Sequence, residues 1–122
     1  MKALIQTTAL TAALAFSGLA AASGDDHFEG KASDTLPEAV SNFSEYNDKL
    51  EAVLEGELTA EKMNEVHELT YTLEKAIAKM SEELDSLAVT LEEVHLASES
   101  ADSDVVSEQG KAYLEKSRQL VE

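Results

Sequence analysis

The 122-residue chain has no cysteine, no tryptophan, a single proline, five glycines and only nine basic residues. Each shortage excludes something. Without cysteine there is no disulfide, no thiolate nucleophile and no lipid-attachment residue, so the chain must be held together by side-chain packing alone. With nine bases against 25 acids the formal charge is −16. Such a surface repels phosphate backbones and anionic headgroups, which makes nucleic acid and membrane surfaces poor partners and a cation or basic protein a better one. The glycines form no phosphate-cradling loop and no catalytic triad can be picked out, so the chain does not read as an enzyme.

The most informative absence is that of proline and glycine between Ala60 and Ser98. Over that stretch Met63, Val66, Thr70, Leu73, Ile77, Met80, Leu84, Leu87, Leu91 and Val94 recur at alternating steps of three and four. The pattern predicts one continuous heptad-patterned helix over about 60–98, roughly 58 Å long, with Thr59 as its N-cap. A first helix over about 36–55 opens on Thr35-Leu36-Pro37-Glu38, a capping box with proline in the first turn. It carries Leu36, Val40, Phe43, Asn47, Leu50 and Leu54 on one stripe and ends at Gly56. The run Ser98 to Asp104 is rich in capping side chains and marks a turn, and a third helix follows over about 103–121 with Val106, Tyr113 and Leu120 on one face.

The expected fold is therefore all-α, a helical bundle of two shorter helices antiparallel to one long helix. Each short helix covers half of the long one, and their far ends meet near Met80 to Leu84. This leaves part of the long helix uncovered, and Val89 and Leu96 add apolar surface on another side. Two long helices packing antiparallel in a homodimer would cover it, as would a bend near Ser81 that closes one chain into a four-helix bundle. The lack of glycine or proline between Lys79 and Leu87 favours a straight helix and self-association through it.

Ahead of the helices, Lys2, the apolar run Ala3 to Phe16 and the small residues Ser17 to Gly24 read as a secretory signal peptide over 1–22, too short to span a bilayer. Cleavage falls before Ser23, with Asp25 as the alternative start. Removal of Lys2 leaves eight bases in place of nine and takes the formal charge from −16 to −17. Residues 23–34 read as a flexible segment or one that docks Phe28, and 35–122 as a single helical domain.

Few residues suggest chemistry. His67 and His95 each follow a valine four heptads apart, about 42 Å along one helix, so they cannot share a ligand within one chain. In an antiparallel dimer centred on Ser81 they would meet across the interface, with Glu92 nearby, as a site for a divalent metal ion. Glu92-x-x-His95 also matches half of a di-iron bundle signature, although Asn64 occupies the corresponding first-half position. Cleavage before Asp25 would create an amino-terminal Asp-Asp-His copper motif ending at His27. Met63 and Met80 read as core residues rather than thioether ligands, and Tyr46, Tyr71 and Tyr113 as packing aromatics with wet hydroxyls.

The strings His27-Phe28-Glu29-Gly30-Lys31, Asn42-Phe43-Ser44-Glu45-Tyr46-Asn47, His67-Glu68-Leu69-Thr70-Tyr71-Thr72-Leu73-Glu74 and Glu93-Val94-His95-Leu96-Ala97-Ser98-Glu99 resemble a family of small exported bacterial proteins of unknown function. That resemblance implies a Gram-negative periplasmic location and no activity. A likeness in architecture alone is to the soluble periplasmic cytochrome b family, whose haem lies between a Met on the first helix and a His on the last. Helix 36–54 here has no Met and 105–122 no His, so the likeness implies a haem-free relative. The expected function is a non-catalytic interaction or binding module with an unknown protein partner; the alternative is a metal or haem carrier using His67, His95 and Glu92.

Overall fold

The computed structural model describes residues 28–121. The expected signal peptide, the two expected cleavage positions and His27 lie outside the described residues. Among the described residues the chain is all-helical, with three helices and no strand: α1 Leu36–Leu54, α2 Ala60–Glu99 and α3 Ser103–Val121.

Local chemistry sets each boundary. At the start of α1 the Glu38 N–H donates to Thr35 Oγ1 at 3.4 Å, while Glu38 Oε2 accepts from the Thr35 and Asp34 N–H groups at 3.0 and 3.1 Å. Three otherwise free donors are thus satisfied, a capping arrangement contributing about 1 kcal/mol. Thr59 caps α2 in the same way by accepting the Lys62 N–H at 3.3 Å. The far end of α2 closes through a left-handed residue, Ala101 at φ 56°. There the Asp102 N–H reaches back to Ala97 O at 2.9 Å and the Ala101 N–H to Ser98 O at 3.3 Å, the paired bonds of a Schellman stop. Asp102 then turns its carboxylate to the Val105 N–H at 3.2 Å and starts α3. One residue ends one helix and begins the next.

α2 runs unbroken through Ser81 and packs against both α1 and α3, which touch each other little. Glu83, four to five turns before the 100–102 connection, is held by Lys116, about four turns after it. Next to it along α2, Ala32, Ser33 and Asp34, immediately before α1, line a depression with Lys75, Ala78, Lys79 and Glu82.

The apolar stripe divides in a way the sequence pattern did not anticipate. Residues seven apart form columns along α2, and the column Val66, Leu73, Met80, Leu87, Val94 faces inward, buried or half-buried. Its companion inside is Leu69, Ala76, Glu83, Thr90 and Ala97, also buried or half-buried. The column expected beside it, Met63, Ile77, Leu84 and Leu91, is left 54%, 52%, 52% and 46% exposed. Met63 is therefore not a core residue, whereas Met80 is half-buried. Helices approach closest where side chains are small, and Ala39 and Ala76 are wholly buried; beside Ala76 the larger Ile77 is turned outward. Val89 and Leu96 are also exposed, on the opposite flank of α2. No residue of α3 is fully buried.

Candidate functional site

Two features stand out from the residues upward: a polar-anchored strap against the middle part of α2 and the exposed column along α2. The strap is the segment Phe28 to Asp34. Gly30 takes φ +70°, and a Cβ placed there would lie 3.0 Å from both the Thr72 backbone nitrogen and Tyr71 Cβ. That approach lets the Lys31 N–H donate to Thr72 Oγ1 at 2.9 Å. Asn42 Nδ2 donates to Ala32 O at 2.9 Å and to Ser33 Oγ at 3.0 Å. Asn42 and Thr72, the buried polar residues, are 2% and 0% exposed, and both spend their polarity on the strap. Buried polar groups need partners, and here the partners fix a segment that composition alone marks as flexible.

The strap's aromatic, Phe28, packs against Tyr71 with ring centroids 6.2 Å apart. Tyr71 in turn meets His67 edge-on at 5.0 Å, its hydroxyl 3.3 Å from His67 Nε2. Beside them Glu45 accepts from Lys49 at 2.6 Å and lies 3.5 Å from Lys31; the Lys49 hydrogen bond first, then the Lys31 charge, hold its carboxyl below the usual range. Lys49 also lies over the Tyr46 ring, 4.2 Å from its centroid. Strings far apart in sequence, around Phe28, Asn42 and His67, thus converge on one corner.

The metal-ligand candidates stay apart. His67 is exposed at that corner. His95, also exposed, lies at the far end of α2 with Nε2 3.4 Å from Glu99 Oε1. Glu92 is exposed and lines a shallow groove with Ala88, Leu91, Val94, His95 and Ser98. Among the described residues no three His, Asp or Glu side chains gather closely enough to hold a metal ion. Tyr113 is half-buried on α3.

Sequence reasoning missed Glu83. This carboxylate lies in the inward column of α2, 14% exposed, between Lys79 Nζ at 2.9 Å and Lys116 Nζ of α3. Hydrogen bonds from Lys116 and then Lys79 hold its carboxyl below the ordinary value. Sequence reasoning also missed Asn42 and Thr72, although a signal existed. Each lies three residues along its helix from a buried apolar residue, Ala39 or Leu69, where a polar side chain needs a partner.

Comparison with known proteins gives a family and no activity. A family model described as a family of unknown function (DUF6746) matches residues 1–122, and the chain belongs to that family. No curated protein and no solved structure matches, so the likeness to cytochrome b bundles has no solved structure to rest on.

Proposed function

We propose that this member of a family of unknown function is a non-catalytic, exported interaction module. In this reading α1 and α3 lie antiparallel to α2, forming a scaffold that presents one long helical face to a partner. The observation that carries it is the exposed column Met63, Ile77, Leu84 and Leu91, about half of each side chain open to solvent in the same heptad register as a buried column. Covering the open halves would contribute about 1 kcal/mol each, hence about 4 kcal/mol per chain, by the usual transfer scale. That is comparable with the lower estimates of the entropic cost of association. A partner that covers the column and little else would therefore bind weakly and reversibly. The alternative, a divalent-metal carrier using His67, His95 and Glu92, gains no support from side-chain placement within one chain.

The test compares the immobilised mature chain with an Ile77→Glu/Leu84→Glu variant of unchanged helical circular dichroism, each exposed to periplasmic extract. Proteins retained by the parent and lost from the variant support the reading. Equal retention by both, or retention of nothing by either, further copies of this chain included, would overturn it.

A further inference from the structure

Resting on that reading, we infer that the occupant of the α2 column is a second copy of this chain, its α2 antiparallel to the first with the two-fold axis at Ile77. The column runs from Met63 to Leu91, about 42 Å at helical rise. It therefore continues past the middle of α2, where coverage by α1 gives way to coverage by α3. An occupant must be straight, carry apolar residues at a seven-residue spacing and be equally long. Among the described residues α2 itself fits that description, at 40 residues against 19 for α1 and for α3.

The column is also symmetric in position. About Ile77, Met63 meets Leu91 of the other copy, Thr70 meets Leu84, and Ile77 meets itself. Register favours the antiparallel sense. In a parallel pair Glu74, one turn from both Thr70 and Ile77, would lie level with the other copy's Glu74 across the seam; in the antiparallel pair it comes beside Ser81, and His67 beside Ala88. The four half-exposed side chains contribute on the order of 400 Å² per chain, against about 800 Å² for a standard interface. The flanking His67, Ser81, Ala88 and His95 supply part of the remainder. This register separates His67 of one copy from His95 of the other by about 12 Å along the axis, so it forms no intersubunit metal site and differs from an arrangement centred on Ser81.

The absence of cysteine makes the test clean. Mature chains carrying Ile77→Cys, Met63→Cys or Leu91→Cys are oxidised with diamide, alone and in pairs, and sedimentation equilibrium is run on the unsubstituted chain. We expect Ile77→Cys to cross-link to itself at least tenfold faster than Met63→Cys, and Met63→Cys mixed with Leu91→Cys to cross-link to each other. The unsubstituted chain should form dimers insensitive to EDTA and tightened by salt, which screens the repulsion between two acidic copies. Self-linking of Met63→Cys as fast as that of Ile77→Cys would overturn the antiparallel sense, and loss of the dimer in EDTA would overturn the register. A monomer at 100 µM would overturn the second copy as occupant. In that last case retention of another protein by the parent but not by Ile77→Glu/Leu84→Glu would still uphold the interaction module, so the two failures are distinguishable.

Discussion

Replacing Gly30 by alanine should destabilise the protein by about 2–3 kcal/mol, and the strap geometry sets both limits. At φ +70° an L-residue pays about 1–2 kcal/mol for the left-handed backbone. The new Cβ would also lie 3.0 Å from the Thr72 nitrogen and from Tyr71 Cβ, atoms fixed by α2, so the strap must lift. Complete detachment gives an upper bound, because it forfeits the Lys31 bond to Thr72 and the two Asn42 bonds to Ala32 and Ser33, about 1 kcal/mol each. On a domain of this size the loss corresponds to a fall in melting temperature of about 8–20 °C. Urea unfolding measures the global cost, and trypsin cleavage after Lys31 reports the strap directly: the parent should resist and Gly30→Ala should be cut several-fold faster. An unchanged urea midpoint together with unchanged cleavage at Lys31 would refute the account of the strap.

The same substitution at Gly110 should have the opposite sign. A Cβ there meets nothing within 4 Å in the interior of α3, so Gly110→Ala should gain about 0.5–1 kcal/mol from helix propensity, read as a higher urea midpoint at constant slope. Ala101→Gly relieves a left-handed alanine at the end of α2 and should also stabilise, by about 1 kcal/mol, measured in the same way. Asn42→Ala leaves the Ala32 carbonyl and Ser33 hydroxyl without their partner and should cost about 1–3 kcal/mol, with faster trypsin cleavage after Lys31. Glu83 makes stability depend on pH. Its folded value lies below the ordinary 4.5, so its contribution is present above that value and disappears as the pH falls through the lower, folded one. Glu83→Gln should flatten that part of the acid limb of a melting-temperature titration below pH 4.5; an unchanged slope would show that Lys79 and Lys116 do not hold the carboxylate.

The elements most legible in the sequence are those governed by local chemistry. Thr35 and Glu38 announce the start of α1 because a capping box needs only four consecutive residues. The long helix follows from an uninterrupted three-four apolar period, which brings its residues onto one face only in a helix. The strap was less legible because its anchors are distant. Lys31 and Thr72 are separated by 41 positions, and neither carries a pattern that points to the other.

The division of the α2 stripe was hidden for a different reason, and it bears on the function proposed. Heptad periodicity identifies which residues share a face; it does not say which of two adjoining columns turns inward. Small side chains bear on that choice, because they let two axes approach closely, and Ala39 and Ala76 are wholly buried. Glu83 lies on the inward side as well, where an apolar count would have placed a leucine, and it stays there because Lys79 and Lys116 neutralise it. A large apolar column at the surface costs a monomer solubility and contributes nothing to its core. Its regular spacing through Ile77, Leu84 and Leu91 is the feature on which the proposed interaction rests.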